Sequence, residues 1–156
     1  MSTETAADLA AEFAGLILPR FGETEAIALG QILVDMAAGL PVVINIRSAN
    51  RVFFHAALPG SAALNDNWAR RKSNLALMFG LPSMLVGTKA AEGGNDLSVH
   101  GLGLADYADH GGAVPIQVAG VGVVACATVS GLPSIEDHRL VVLAIQQLIG
   151  QIQQEA

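Results

Sequence analysis

Disulfide chemistry is excluded within this chain, because the sequence contains a single cysteine, Cys126. A lone cysteine is consistent with a reducing compartment. Aromatic residues are also scarce, at 4% of 156 residues, and charged residues make up only 14%. Since apolar residues still reach 52%, the core must be built from small aliphatic side chains, and apolar surface is left over. That surplus predicts a homo-oligomer.

Positive charge is in short supply. Lysine and arginine together number 8 against 14 acidic residues, which gives a net charge of −6 and a pI near 5.0. Nucleic acids and anionic membranes both require a positive surface, so neither is expected as a partner. Arg70-Arg71-Lys72 is the one locally basic run.

A membrane-spanning helix is not expected, although residues 111–135 carry no charge. Pro115, several glycines and many β-branched residues in that run favour strands instead. The N-terminus carries Glu4, Asp8 and Glu12 where a signal peptide would carry positive charge. We therefore expect a cytoplasmic protein with no membrane partner.

The length predicts one domain over residues 1–156. Apolar periodicity and the positions of proline and glycine divide the chain into elements. Helices are expected over 5–18, 24–38 and about 66–79 and from Ser134 onward, and strands over 42–46, 52–57, 113–119 and 121–129. The glycine-rich stretch 87–112 has no period and is predicted to be a long functional or interfacial loop. This order predicts an α+β fold with an antiparallel sheet built from two hairpins.

The strand 121–129 has small or apolar residues on both faces, which predicts that both faces are covered. Cys126 lies in this strand and is predicted to be an inert core thiol. The string Gly120 to Ala125 fits a G-x-G-x-x-A pattern, but a strand follows the glycines where a dinucleotide site requires a helix. No nucleotide motif is therefore predicted.

Two interpretations remain open at the start of the last helix. Ser134 to Asp137 has the spacing of a capping box, in which Ser134 caps the helix and Asp137 reaches back to the backbone. Alternatively, Asp137 and His138 form a carboxylate–imidazole pair suited to proton transfer or metal binding.

The four histidines are scattered, with no spacing typical of a metal site. His110 is the best single candidate for a metal ligand, because Gly111 and Gly112 allow close approach to the backbone; the alternative is a surface histidine that tethers a loop. Arg71 and Lys72 are candidates for binding carboxylates or phosphates, against the alternative of a solvated helix face.

Several motifs resemble those of the uncharacterised UPF0303 family, part of a wider haem-degrading-domain group. The matching segments are Asp66-Asn67-Trp68, Arg71-Lys72, Tyr107 to Ile116, Val129 to Pro133 and Glu136-Asp137-His138, and the resemblance covers about residues 12–150. The chain departs from the family at Pro82-Ser83, where paired serines are usual. The resemblance implies a profilin-like sheet flanked by helices.

The same resemblance implies haem, or another anionic tetrapyrrole, as ligand. The residues it offers as a binding set are Arg71, Lys72, His110, Asp137 and His138, with His110 as the metal ligand. We hypothesise that Arg71, Lys72, His110 and His138 converge on one anion-binding pocket. "Haem-degrading" is a family label and does not establish an activity for these residues.

Three classes of function follow. The leading one is a cytoplasmic, homo-oligomeric protein that binds a small anionic ligand. The second is an enzyme that acts on such a ligand through His110, Asp137 and His138. The third is a structural or chaperone-linked adaptor without small-molecule chemistry. A pocket that holds Arg71, His110 and His138 together favours the first two, and dispersed histidines on a filled core favour the third.

Overall fold

The computed structural model describes residues 4–155 as helices packed on a five-stranded sheet. In chain order the elements are α1 (Ala6–Ala14), β1 (Ile17–Leu18), α2 (Glu23–Met36), β2 (Val43–Arg47), β3 (Val52–Ala57), α3 (Ala63–Phe79), α4 (Ser83–Glu92), a 3-10 helix (Leu97–His100), β4 (Ala113–Val118), β5 (Gly122–Ser130) and α5 (Ser134–Gln154). Both hairpins and the last helix form where the sequence predicts them. The fold is therefore α+β.

The sheet is mixed, and the prediction of a purely antiparallel sheet is wrong. Its strand order is β1-β4-β5-β2-β3, with antiparallel pairing everywhere except at one edge. There β1 runs parallel to β4, with Ile17 opposite Gln117. The first helix ends at Ala14, before the predicted boundary, and the next apolar residues enter the sheet. Leu18 is fully buried in this short strand, which explains why it leaves the helix.

Helices cover both faces of the sheet, as the composition of β5 predicts. The larger core lies between the sheet and helices α2 and α5, with Ile44, Ile116 and Ile145 fully buried. On the opposite face α3 packs against β5, where the hydroxyl groups of Ser73 and Thr128 are 2.8 Å apart. Each large aliphatic side chain buried in this way contributes about 1.5–3 kcal/mol.

Cys126 lies in the smaller core on the α3 side of the sheet and has no exposed surface. Burial raises the pKa of the Cys126 thiol to about 12. The thiol is therefore protonated at neutral pH, and the prediction of an inert core cysteine is confirmed.

The segment 87–112 is only partly a loop, because its beginning belongs to α4, a helix that the sequence did not predict. Gly87 lies inside this helix. A side chain at Gly87 would overlap the carbonyl oxygen of Asp109, so glycine is required there for close packing between two backbones. Gly87, at the start of the predicted loop, is therefore a helical residue that allows α4 to pack closely against the backbone at Asp109.

The capping box predicted at Ser134 does not form, because Pro133 occupies the N-cap position of α5 and no side chain caps the helix. The Asp137 carboxylate does reach back to the backbone. It accepts hydrogen bonds from the amides of Leu132, at 3.0 Å, and Gly131, at 3.4 Å. Asp137 therefore fixes the turn between β5 and α5 without help from Ser134.

Within residues 4–155, every helix is too short or too polar to span a bilayer.

Candidate functional site

A cavity of about 270 Å³ lies between α3, the end of the loop before β4 and the turn that leads into α5. Its walls are formed by Asn65, Trp68, Lys72, His110, Asp137 and residues 130–134. Asn65, Trp68 and Lys72 are spaced three and four residues apart, so they lie on one face of α3. We call this space the Lys72 cavity.

Lys72 and Asp137 form a buried ion pair on its wall. The Lys72 ammonium nitrogen is 3.0 Å from Oδ2 of Asp137, and the two side chains are 4% and 1% exposed. Together with the amides of Gly131 and Leu132, Lys72 gives the Asp137 carboxylate three donors. The pair links the middle of α3 to the first turn of α5.

Desolvation perturbs both members of this pair. Burial lowers the pKa of Lys72 and raises the pKa of Asp137, because the charged form of each group is costly away from water. Their mutual attraction opposes both shifts. The difference in free energy between the ionic and the neutral form is therefore smaller for this pair than for a pair at the protein surface.

Gly111 and Gly112 let the backbone pass beside the ion pair. A Cβ at Gly112 would overlap the carbonyl oxygen of Val129 and lie 3.0 Å from the Lys72 nitrogen. Gly112 also has φ of +136°, which side chains rarely tolerate. A Cβ at Gly111 would meet the carbonyl oxygen of Ser134. Tight packing of the protein itself thus accounts for these glycines, which the sequence suggested were there to admit a ligand.

His110 is an exposed residue where two cavities meet. Its ring packs edge-on against Trp68, with centroids 5.0 Å apart. It lines both the Lys72 cavity and a larger neighbouring cavity of about 600 Å³. The walls of the larger cavity are formed by Glu4, Thr5, Met84, Gly87, Thr88, Ala91, Glu92, Asp109, His110, Gly111 and Ser134. The His110 imidazole makes no hydrogen bond with any residue in the described range 4–155, so its nitrogens are available to a ligand.

Arg71 lies behind the Lys72 cavity, outside its wall. Its guanidinium carbon is 4.4 Å from the centre of the Trp68 ring, and a terminal nitrogen donates to the carbonyl oxygen of Tyr107 at 3.4 Å. Stacking of this kind holds an aromatic ring in place. Arg71 therefore positions Trp68 and is not itself part of the cavity wall.

His138 does not face this cavity at all. It is buried against α1, with its Nε2 atom 3.0 Å from a carboxylate oxygen of Glu12. Adjacent helical residues point about 100° apart, which separates His138 from Asp137. The predicted convergence of Arg71, Lys72, His110 and His138 is therefore wrong. The cavity wall brings Lys72 and His110 together with Asp137, whereas Arg71 and His138 lie outside it.

Seven residues of the cavity wall were absent from the predicted site: Asn65 and Trp68 on α3, and residues 130–134 between the end of β5 and the start of α5. From the sequence, Trp68 was identified only as part of a segment that resembles the family. Its spacing of four residues from Lys72, within a matching family motif, was the available signal.

A metal site made only of protein groups is not found in the described part of the chain. Among residues 4–155, no cluster of three or more histidine, cysteine, aspartate or glutamate side chains is placed to hold an ion. His110 has the chemistry of a single axial ligand to a metal that arrives within a cofactor.

We expect His138 to make stability fall as the pH drops below about 6.5. Burial lowers the pKa of His138, although Glu12 and Glu4 oppose that effect and Arg139 adds to it. Nδ1 of His138 is buried without a partner, so a second proton there would have no acceptor. The unfolded chain therefore binds this proton more readily. Stability is fully present above the ordinary pKa and declines as the pH falls towards the folded one.

Urea unfolding of wild type and His138→Gln between pH 7.5 and 5 measures this effect. One proton changes the free energy of unfolding by at most about 1.4 kcal/mol per pH unit. The variant should have a shallower pH dependence than wild type below about pH 6.5. Identical slopes in the two proteins would show that His138 is not responsible.

Comparison with known proteins shows the family to which this chain belongs. Residues 21–146 match the model of the family described as haem degrading protein HbpS-like. The chain belongs to this HbpS-like family. A UPF0303 protein of Streptomyces coelicolor is 46% identical over 150 residues, covering 94% of this chain and 95% of that one. A UPF0303 protein of Acidobacterium capsulatum is 41% identical over 150 residues, covering 94% and 91%. The predicted UPF0303 membership is confirmed.

Solved structures agree with this assignment. The crystal structure of Ybr137w protein superposes on the HbpS-like chain with a TM-score of 0.86 and 30% identity, covering 94% of this chain and 88% of that one. The PduOC–haem complex superposes with a TM-score of 0.68 at 17% identity, covering 81% and 93%. At that identity the second similarity shows a shared fold alone.

Proposed function

We propose that this HbpS-like protein binds haem and that His110 is the axial ligand. The observation that carries the proposal is the His110 imidazole, which stands where two cavities meet and is not hydrogen-bonded to any residue in 4–155. An unengaged, accessible imidazole is one of the groups that bind haem iron in proteins. The family description and the haem complex of a protein with the same fold support the choice of ligand.

The surroundings of His110 suit a porphyrin ring better than its propionates. Trp68 on one side, with Met84 and Ala91 on the other, provide apolar contact surface. The larger cavity also carries Glu92 and Asp109, whose negative charge opposes carboxylates. The propionates are therefore expected to lie in solvent, away from this wall.

The role of the protein in this proposal is to hold and orient the ligand. Bound haem would supply an iron centre with redox and oxygen chemistry. The Trp68 ring packs edge-on against the His110 ring and orients it. The Arg71 guanidinium stacks on the Trp68 ring and holds it in place. Lys72 is paired with Asp137, so its charge is not free to neutralise an anion, and its predicted role as an anion receptor is not part of this proposal.

Titration with haemin, followed by the Soret band, tests the proposal. Wild type should bind saturably, and His110→Ala should change the Soret spectrum and weaken affinity by about tenfold or more. His100→Ala is a matched control, because the His100 ring packs edge-on against Phe79 at 5.1 Å, much as His110 packs against Trp68. This control should resemble wild type.

Each unfavourable outcome has a separate meaning. Wild type without saturable binding would remove haem as the ligand and favour the adaptor function. Unchanged affinity and spectrum in His110→Ala would show that another residue binds the iron.

Self-association is part of the same proposal. Large apolar side chains are exposed on the β4–β5 hairpin and in the loop before it, including Val121 at 71%, Leu104 at 68% and Val99 at 58%. Exposed apolar surface of this kind favours contact between copies. Light scattering on a size-exclusion column should give a mass of two or more times the 16.0 kDa of one chain. A monomer at micromolar concentration would remove the argument.

The proposed setting is the cytoplasm, which the free buried thiol of Cys126 supports. Fractionation of cells that express the full chain measures this, and recovery outside the cytoplasmic fraction would contradict it.

A further inference from the structure

Lys72 has fewer hydrogen-bond acceptors than its ammonium group can use. An ammonium carries three donors. Within residues 4–155, one donor meets Asp137 at 3.0 Å, and a second reaches the carbonyl oxygen of Val129 only at 3.5 Å, beyond the usual range. The side chain is 4% exposed, so bulk water does not supply the missing acceptors, and burial makes the charged form more costly than it is in water.

The groups around this nitrogen are suited to proton transfer. Asp137 on α5 is in direct contact with Lys72, and His110 lies on the same cavity wall. No other titratable side chain lines the Lys72 cavity among the described residues. Arg71, which precedes Lys72 on α3, contacts Trp68 and Tyr107. A lysine nitrogen that is desolvated in a pocket can become a nucleophile at neutral pH, and a carboxylate in contact with it can accept its proton.

We propose that Lys72 captures small aldehydes by forming an imine inside the Lys72 cavity. Asp137 takes a proton from the ammonium group, and the freed amine attacks the carbonyl carbon. The carbonyl oxygen takes a proton back from Asp137, which gives a carbinolamine. Asp137 then takes a second proton from the nitrogen and passes it to the hydroxyl group, which leaves as water, so that a protonated C=N bond joins the aldehyde carbon to Lys72. The overall step consumes one aldehyde, releases one water and requires no oxidant or reductant.

The cavity selects the class of carbonyl compound. A volume of about 270 Å³ admits only a small molecule. An oxo acid would bring a carboxylate, and Lys72 itself is the only cationic side chain on the described wall. Trp68 provides an apolar surface for a short alkyl group. A small uncharged aldehyde therefore fits best, and this inference does not depend on haem binding.

Reductive trapping on the wild-type chain tests the proposal. The protein is treated with propanal and cyanoborohydride, which reduces an imine to a stable secondary amine, and the modified lysines are mapped by mass spectrometry. The chain has two lysines, Lys72 and Lys89, and Lys89 is the exposed control on α4. An aldehyde in the Lys72 cavity is held beside the Lys72 nitrogen and its proton acceptor Asp137, so we expect about tenfold more modification at Lys72 than at Lys89.

The pH dependence and the unfolded protein provide two further readouts. In the folded protein, trapping at Lys72 should reach its plateau at a lower pH than it does in urea, because burial lowers the pKa of Lys72. In urea the preference for Lys72 should disappear. Modification of Lys89 alone, or equal modification of both lysines in the folded state, would overturn the proposal and leave Lys72 as half of a structural ion pair.

Discussion

Replacing Gly112 with alanine is expected to lower the free energy of unfolding by about 3 kcal/mol or more. The new Cβ would overlap the carbonyl oxygen of Val129, a backbone atom that cannot rotate away, and would press on Lys72 and Asp137. The φ of +136° adds backbone strain at the same position. Urea unfolding, or the fraction of soluble protein if folding fails, measures the effect.

Gly120→Ala is the matched control for this prediction. Gly120 also has positive φ, at +75°, but a Cβ there would meet nothing within 4 Å. Its substitution should cost only the backbone strain, about 1–2 kcal/mol. Equal costs at Gly112 and Gly120 would mean that the packing around the ion pair is looser than the structure shows.

Removing Asp137 from the Lys72–Asp137 pair should be at least as damaging. Asp137→Ala is expected to cost about 3–5 kcal/mol, since it leaves Lys72 buried without a partner and frees two backbone amides. This exceeds the cost of losing a helix cap, which is about 0.5–2 kcal/mol. Lys72→Met should cost less, because the Asp137 carboxylate keeps the amides of Gly131 and Leu132.

A double-mutant cycle separates the ion pair from its surroundings. The double variant Lys72→Met, Asp137→Ala should be more stable than the sum of the two single effects predicts, because no unpaired charge remains. Arg51 and Glu23 form a surface pair at 3.2 Å, with side chains 61% and 66% exposed, and serve as the control. Their coupling should be about 0.2–1 kcal/mol. Additive effects at Lys72 and Asp137 would contradict a buried pair.

Local pattern was sufficient for most of the fold. The β-branched runs around Gly120 and the stop signals at Pro133 specified the second hairpin and the start of α5, because turn chemistry acts over a few residues. Helix α4 was missed because Gly87 resembles a loop residue unless the neighbouring Asp109 carbonyl is known. The parallel strand β1 was missed because two residues carry no measurable period and pair with Gln117 and Val118, about a hundred residues away.

The site was harder to predict because its contacts are non-local. Lys72 and Asp137 are 65 residues apart, and each alone has the pattern of an ordinary helix residue. His138 follows Asp137 directly, yet the rotation of α5 sends it to Glu12 on another helix. Sequence motifs indicated the correct segments, and only the packing of α3, α5 and the loop before β4 showed which side chains meet.

The most direct test of a ligand site at His110 is the NMR spectrum of the histidine rings during titration with zinc protoporphyrin, a diamagnetic analogue of haem. The chain has four histidines, so single substitutions assign every ring signal. The signal of His110 should shift first and saturate, while those of His55, His100 and the buried His138 should stay in place. A saturable shift at any of those three with no change at His110 would contradict the proposed site.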